Sequence, residues 1–332
     1  MNASPIFIVG CPRSGTALLR DLLRSHPRLT FPPESHFIPA FYRGYGDPRT
    51  EREAIVLARR ILKLEWIRFW NLPMEAGAFA PDRSFRDILC RLYGAWAHYE
   101  KKPRWGDKTP HYVADIAALA EIFPEGKIIH IIRDGRDVAI SWLKSGHEPR
   151  NLFVGAERWD SYVRAGRASG GKLPSGNYQE IRYESLLRRP EETMTSVCEF
   201  IGEPFVEAVL HPSPARPMVR QPIFGRRRLF PVTRAYVIAK NIEKWKIEMP
   251  LPDRRLFESV AGDLLTELGY ETEGFNRTVS KFRRFAWNAH HRFLWMAARL
   301  NMKGNFRWLW TDFQIRRAFL WADHRRRSRR GR

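Results

Sequence analysis

The 332-residue sequence predicts an α/β fold in which a central parallel sheet lies between two layers of helices. Residues 6–9 and 127–132 are short and largely apolar, which is typical of parallel strands buried on both faces. Each run leads through a short polar turn into a segment with helical periodicity. Residues 179–183 are a third candidate strand, also followed by a helical segment. Strands that alternate with helices in this way build parallel, three-layer folds.

The turn after the first strand has the composition of an anion-binding loop. Residues 10–16 read Gly-Cys-Pro-Arg-Ser-Gly-Thr and enter a helix directly, so backbone N–H groups and a helix N-terminus point at one place. Gly10 and Gly15 have the spacing of a nucleotide-triphosphate loop, which predicts a P-loop-like fold, but Thr16 stands where that loop needs Lys. No later strand ends in a convincing Mg²⁺-binding Asp. We therefore expect Arg13 and backbone amides to bind phosphate without a metal; an ordinary strand–helix turn is the alternative.

A second anion-binding pair follows the strand at residues 127–132. Arg133 ends this strand, and Ser141 lies eight residues further on, within a predicted helix at residues 138–144. This spacing can bring a guanidinium and a hydroxyl to one phosphate at the sheet edge, where Arg supplies a bidentate contact. The alternative is a helix-capping network with an incidental Arg.

Glu34 and Lys108 are candidates for chemistry near the loop. Glu34 is predicted to open a helix shortly after an edge strand at residues 29–31, so its carboxylate can fold back beside the phosphate loop. It could instead merely favour the helix start. Lys108 is flanked by Gly and Pro, which predicts that a loop at residues 103–110 carries it. A solvated surface lysine is the alternative there.

Composition fits a globular protein, with 44% hydrophobic residues and no apolar run near the roughly 20 residues of a membrane span. The first strand begins so early that we expect no signal peptide. Three scattered cysteines argue against a disulfide framework or a zinc site. These features favour a cytoplasmic location. A cytoplasmic protein could also attach peripherally to the inner face of the membrane.

The net charge of +21 is concentrated at the C-terminus. Residues 276–332 contain 16 Lys/Arg and two Asp/Glu, or +14, with 11 aromatic residues interleaved. We therefore predict a main domain at residues 1–275 and a helical, basic extension at residues 276–332, with helices near 280–300 and 305–323. This composition is typical of helices that lie on an anionic membrane surface. A helical extension packed on the domain is the alternative, and nucleic-acid binding is least favoured because no such module is recognisable.

Together these stretches resemble the sulfotransferases that use 3′-phosphoadenosine 5′-phosphosulfate (PAPS) as donor. The resemblance covers residues 5 to about 270 and includes the stretches CPRSGT, WGDKTPHY, IRYESLLRRPEETM and IEKWK. It implies contacts to the donor's 5′-phosphosulfate from Arg13, Ser14, Gly15, Thr16 and Ala17, the last standing where many relatives have a second Thr or Ser. It also implies contacts to the 3′-phosphate from Arg133 and Ser141, and to the adenosine from Tyr183. Thr233 and Lys244 match donor-contacting positions of the tyrosylprotein branch across a gap.

The same resemblance implies how the reaction proceeds. Glu34 occupies the place of the general base of the tyrosylprotein and carbohydrate branches, and Lys108 resembles their active-site lysine. Glu34 would take the acceptor proton, while Arg13 and Lys108 stabilise the transferring sulfuryl group during in-line transfer. No metal is implied, and the acceptor would be a hydroxyl of a glycan, a glycolipid or a peptide. A small-molecule kinase of related fold and a non-catalytic, membrane-associated binding protein are the alternatives.

Overall fold

A computed structural model describes residues 4–145, 149–211, 241–275 and 279–301. Its five parallel strands are ordered β2-β3-β1-β4-β5. They span β1 (Ile6–Val9), β2 (Leu29–Thr30), β3 (Arg104–Lys108), β4 (Lys127–Ile132) and β5 (Tyr178–Arg182). The predicted parallel sheet is confirmed, and so are its strands at residues 6–9 and 127–132. The short β2 forms one edge of the sheet, which confirms the edge strand predicted at residues 29–31.

Helices connect the strands and cover both faces of the sheet. Short 3-10 helices lie at Ala76–Phe79, Pro110–Asp115 and Glu207–Leu210. The α-helices are α1 (Thr16–Arg24), α2 (Ile38–Tyr45), α3 (Glu51–Leu62), α4 (Glu65–Arg68), α5 (Phe85–Tyr99), α6 (Ile116–Ile122), α7 (Gly135–Ser145), α8 (Leu152–Gly170), α9 (Tyr183–Arg188), α10 (Pro190–Ile201), α11 (Trp245–Glu248), α12 (Leu251–Glu267) and α13 (Lys281–Asn301).

Strand β1 shows why the fold has three layers. Phe7 and Val9 enter a core cluster with α3, α5 and α6, whereas Ile6 and Ile8 enter a cluster with α1 and α10 on the opposite face. Successive side chains of a strand point to opposite faces, so a continuous apolar run needs helices on both sides. A third cluster packs α7, α8 and α12 together beyond β4. The predicted α/β/α architecture is confirmed.

Two local expectations are wrong. Lys108 lies at the end of strand β3, between β2 and β1, and not on a loop. A strand fits here because Gly106 leaves room for the Phe31 ring; a Cβ at Gly106 would lie 2.3 Å from Phe31 Cε1. Glu34 does not open a helix, since α2 begins only at Ile38. Only the secondary structure around Lys108 and Glu34 differs from the expectation, since both residues lie at the carboxyl edge of the sheet.

The helix expected near residues 280–300 is present as α13, and the one expected at 305–323 lies outside the described residues. The division into domains 1–275 and 276–332 stays a prediction. Of the helices within the described ranges, none has both the length and the apolar character needed to cross a bilayer.

His130, in the middle of β4, makes the stability of this fold sensitive to acid. Its side chain is fully buried and its Nδ1 lies 2.7 Å from the Tyr178 hydroxyl, which donates to Glu180. Burial first, and then the charges of Arg167 and Arg182, lower the pKa of His130 to about 3. The unfolded chain takes up this proton near pH 6.5, so folding stability is complete above that pH and falls progressively toward about pH 3.

At about pH 5 this one histidine should lower the free energy of unfolding by on the order of 2 kcal/mol relative to neutral pH. The substitution His130→Asn keeps a donor for Tyr178 and removes the titration, so stability should fall less between about pH 7 and pH 5 than in the wild type. Urea unfolding at both pH values measures the difference. The exposed His98 provides the control His98→Asn; an equal acid sensitivity of wild type and His130→Asn would contradict the assignment.

Candidate active site at the carboxyl edge of the sheet

The loop between β1 and α1 has the backbone of an anion cradle. Gly15 precedes the helix with φ +99°, and a Cβ there would lie 2.3 Å from the Tyr183 ring, so only glycine fits. Arg13 also has a left-handed backbone, with φ +76°, which is uncommon for a residue with a side chain and is often found at functional sites. The Ser14 hydroxyl is fully buried, and no partner for it lies within the described ranges. A bound anion would supply that partner.

Arg133 and Ser141 meet this loop from β4 and α7. Arg13 Nε donates to Ser141 Oγ over 3.0 Å, and Arg133 Nη1 lies 3.3 Å from the Arg13 carbonyl oxygen. The Arg133 guanidinium lies over the Tyr183 ring, 4.5 Å from its centroid. Partial burial and the neighbouring charge of Arg133 lower the pKa of Arg13. Two guanidinium groups so close together form a site for a multiply charged anion.

The backbone and an acidic side chain hold Arg133 in place. Its Nη2 donates to the Asn241 carbonyl oxygen over 2.6 Å and lies 3.3 Å from Asp137 Oδ2. Its buried Nε has no partner among the described residues and is therefore available to a phosphate. Asp137 also accepts from the backbone N–H of Trp245 over 2.9 Å, which places the preceding residue, Lys244, at this end of the site.

Glu34 and Lys108 form a close ion pair on the other side of the loop. Lys108 ends β3 and is 4% exposed, and its Nζ donates to Glu34 Oε1. His36 Nε2 lies 2.9 Å from the second carboxylate oxygen, Oε2. Burial alone would raise the pKa of Glu34, but the charge of Lys108 and the contact with His36 outweigh burial and hold this pKa well below its usual range. Glu34 is therefore ionised at neutral pH.

A buried hydrogen-bond network fixes the segment that carries Glu34. Ser35 Oγ donates to Asp107 Oδ2 over 2.8 Å, and the backbone N–H of Ser35 donates to Thr109 Oγ1 over 3.2 Å. Tyr93 also donates to Asp107, over 2.6 Å. Burial raises the pKa of the Asp107 carboxyl group despite these bonds. Asp107 and Thr109 flank Lys108, so the same network positions both members of the ion pair.

The two halves of the site share one edge of the sheet. Ile8 of β1 is in register with Lys108 of β3, and the Gly10 N–H donates to the Pro110 carbonyl oxygen over 3.2 Å. The phosphate loop and the end of β3 are thus directly connected. The carboxylate of Glu34 and the ammonium group of Lys108 therefore lie at the same sheet edge as the guanidinium groups of Arg13 and Arg133.

The other residues predicted to contact the donor lie at the start of α1, before α11 and outside the described residues. Thr16 is buried in the first turn of α1, and Ala17 follows it as an exposed residue. Lys244 directly precedes α11, and none of its side-chain contacts is described. Thr233 lies outside the described residues. Donor binding by all of these positions stays a prediction.

Sequence reasoning missed the aromatic residues beside Glu34. The His36 ring lies 4.6 Å from the Trp66 ring and 6.0 Å from the His111 ring, and His36 has a left-handed backbone with φ +57°. The only indication in the sequence was the Glu-Ser-His order at residues 34–36. This order does not show that the His36 side chain contacts the Glu34 carboxylate. Within the ranges that the structure describes, there is no cluster of three or more His, Cys, Asp or Glu side chains that could hold a metal ion.

The chain is similar in sequence to known proteins. The chain is 26% identical over 218 residues to protein-tyrosine sulfotransferase A of Caenorhabditis elegans, covering 62% of this chain and 52% of that protein. It is 27% identical over 286 residues to the nodulation protein NoeE of Sinorhizobium fredii, covering 80% of this chain and 65% of NoeE. The chain thus spans between about half and two thirds of these relatives.

A solved structure, the sulfotransferase domain from the curacin biosynthetic pathway, has the same fold. It superimposes with a TM-score of 0.54 at 23% identity, covering 82% of this chain and 99% of that domain. Residues 5–207 match the model of the sulfotransferase family, and this match includes the phosphate loop, the Glu34–Lys108 pair and the Arg133–Ser141 pair. The chain belongs to the sulfotransferase family.

Proposed function

We propose that the protein transfers a sulfuryl group from PAPS to an acceptor hydroxyl, with Glu34 as general base. The proposal rests on one observation: the Glu34–Lys108 pair and the guanidinium groups of Arg13 and Arg133 lie at the same sheet edge. A hydrogen bond from the Gly10 N–H to the Pro110 carbonyl oxygen connects the two parts of the site. A base beside a cation-rich phosphate site is what in-line group transfer to a hydroxyl requires.

The unsatisfied polar groups suit the two anionic ends of PAPS. The Ser14 hydroxyl and the loop amides would hold the 5′-phosphosulfate, with Arg13 above them. The Arg133 Nε, which has no partner in the described structure, and the Ser141 hydroxyl would hold the 3′-phosphate. The Tyr183 ring lies under the Arg133 guanidinium and so supports the residue proposed to hold the 3′-phosphate; its own contact with the adenosine stays a prediction. Lys244 and Thr233 stay predicted donor contacts.

Glu34 and Lys108 divide the chemistry between them. Glu34 takes the proton of the acceptor hydroxyl as a new O–S bond forms and the S–O bond to the donor phosphate breaks. Lys108 and Arg13 stabilise the negative charge that develops on the departing phosphate oxygen. For this, Lys108 shares its ammonium group between Glu34 and the donor, which weakens the ion pair and makes Glu34 a stronger base than in the free protein.

The acceptor we propose is a hydroxyl of a glycan, a glycolipid or a peptide. One matching relative is named a protein-tyrosine sulfotransferase and another a nodulation protein. The rings of His36, Trp66 and His111 beside Glu34 support an acceptor that presents a ring, either a sugar or a tyrosine side chain.

A donor-and-acceptor panel tests this function. The protein is incubated with radiolabelled PAPS and, in separate reactions, with a tyrosine peptide, an oligosaccharide and a glycolipid. We expect label in one acceptor class, and about 10³-fold slower labelling when Glu34→Gln replaces the wild type. Phosphorylation of an acceptor by ATP with Mg²⁺ would support the kinase alternative, and PAPS binding without any turnover would support a binding protein.

A further inference from the structure

Helix α13 is held on the domain by one face. Its Trp287 ring stacks on Phe153 of α8, with centroids 6.4 Å apart and an interplanar angle of 13°. The Trp287 carbonyl oxygen accepts from Asn151 Nδ2 over 2.9 Å, and His291 Nδ1 accepts from the Arg150 N–H over 3.1 Å. These contacts involve two successive turns of the helix, so they fix its rotation about its own axis.

The opposite face of α13 carries an apolar stripe that points away from the domain. We call the residues Phe282, Phe285, Phe293 and Met296 the outer stripe; their exposed fractions are 80%, 72%, 63% and 52%. At 100° per residue these four positions fall within an arc of about 80°. Trp287 and His291 project from the other side of the helix. Single exposed apolar residues are ordinary, but four along one helix face mark an interaction surface.

The charge of this region indicates which partner the outer stripe fits. Helix α13 contains five Lys/Arg and no Asp/Glu, and residues 276–332 carry +14 of the net +21. Arg283 and Arg292 are exposed. When the helix is drawn at 100° per residue, Arg292 lies about 20° from one edge of the stripe. Arg283 lies about 80° from the other edge, on the flank between the stripe and Trp287. A helix with this composition suits the surface of an anionic bilayer, where aromatic rings insert at the level of the upper acyl chains and Arg side chains contact the headgroups.

We propose that α13 docks the protein on an anionic lipid bilayer. In this arrangement the outer stripe enters the acyl-chain boundary, Arg283 and Arg292 contact headgroup phosphates, and Trp287 and His291 keep the helix on α8. A second copy of the chain would bring like charge against like charge. Residues 302–332 have 10 Lys/Arg and two Asp, so covering the stripe with them would also oppose like charges.

Flotation of the full chain with lipid vesicles tests this surface. Wild type should float with vesicles of phosphatidylcholine and phosphatidylserine, and much less with phosphatidylcholine alone. The variant Phe282→Ser/Phe285→Ser should bind the anionic vesicles at least about tenfold more weakly, because it removes two of the inserted rings. The matched control Tyr99→Ser/Ile247→Ser removes two exposed apolar side chains elsewhere, 63% and 91% exposed, and should float like the wild type.

Thermal unfolding and light scattering of the same variants identify other occupants. If Phe282→Ser/Phe285→Ser lowers the unfolding temperature without changing flotation, residues of this chain cover the stripe and the proposal is wrong. If the variant dissociates an oligomer of the wild type, a second copy is the occupant. The proposal is also overturned if the wild type does not float with anionic vesicles, or if the wild type and Phe282→Ser/Phe285→Ser float equally well. Binding of 3′-phosphoadenosine 5′-phosphate should be equal in all of these proteins, which separates docking from the donor site.

Discussion

Glu34→Gln should lower kcat for sulfuryl transfer by about 10³-fold, which is within the range for removing a general base. Glutamine preserves the shape of the side chain and can still contact Lys108 and His36, but it cannot take the acceptor proton. The affinity for 3′-phosphoadenosine 5′-phosphate should change little, since the anion cradle of Arg13 and Arg133 is intact. Single-turnover kinetics and a binding titration measure the two effects separately.

Stability must be followed in the same experiment, because Lys108 is 4% exposed and loses its counter-ion in Glu34→Gln. Removing one partner of a buried ion pair destabilises proteins strongly. The variant Glu34→Gln/Lys108→Met removes both charges and should regain stability without regaining activity. Glu51→Gln on α3, where the carboxylate is exposed, is the matched control. Wild-type activity in a stably folded Glu34→Gln protein would exclude Glu34 as the base.

The pH profile of the wild type distinguishes Glu34 from its neighbour His36. The pKa of Glu34 is held well below its usual range, so Glu34 should not produce an acid limb in kcat/KM between about pH 5 and pH 8. Activity should fall only as the pH approaches that lowered pKa. An acid limb within that range that disappears in His36→Gln would contradict the assignment of Glu34 as the base.

Arg133→Ala should weaken binding of 3′-phosphoadenosine 5′-phosphate by about 10- to 100-fold, as expected for lost hydrogen bonds between charged groups. Adenosine 5′-phosphosulfate lacks the 3′-phosphate and should lose much less affinity. The physical reason is that the Arg133 guanidinium lies over Tyr183 with its Nε unpartnered among the described residues. Isothermal titration calorimetry with both nucleotides measures the difference.

Two variants control for the structural contacts of Arg133 with Asn241 and Asp137. Arg133→Lys keeps the charge and loses the bidentate geometry, so its affinity should be intermediate. Arg189→Ala, an exposed arginine at the start of α10, should bind like the wild type. Equal losses for both nucleotides in Arg133→Ala would show that Arg133 supports the loop in general and does not recognise the 3′-phosphate.

The backbone of the loop between β1 and α1 could be predicted from sequence because its pattern is contiguous. Residues 5–24 alone contain the strand, the glycine turn and the helix, and the structure has each of them where expected. The pairing of Arg133 with the loop follows from the order of two parallel strands, which bring their carboxyl ends to one edge. Local pattern and sheet topology agree here, and for that reason the predicted positions of the strand, turn and helix are confirmed, while phosphate binding stays a prediction.

The positions of Glu34 and Lys108 depend on contacts between segments far apart in sequence. Lys108 was expected on a loop because Gly106 and Pro110 interrupt any local strand pattern, yet pairing with β1 on one side and β2 on the other makes it part of a strand. His36, which contacts Glu34, has a left-handed backbone that local propensity does not favour for a residue with a side chain. Neither feature follows from sequence periodicity.

The central claim is that the site binds a nucleotide with phosphates at both the 3′ and 5′ positions. Thermal unfolding of the wild type with 3′-phosphoadenosine 5′-phosphate, compared with ATP and Mg²⁺, tests it most directly, because a ligand of the folded state raises stability as RT ln(1 + [L]/Kd). We predict a clear rise in unfolding temperature with the bisphosphate and little with ATP and Mg²⁺. A rise with ATP and Mg²⁺ alone would contradict the assignment of PAPS as the donor.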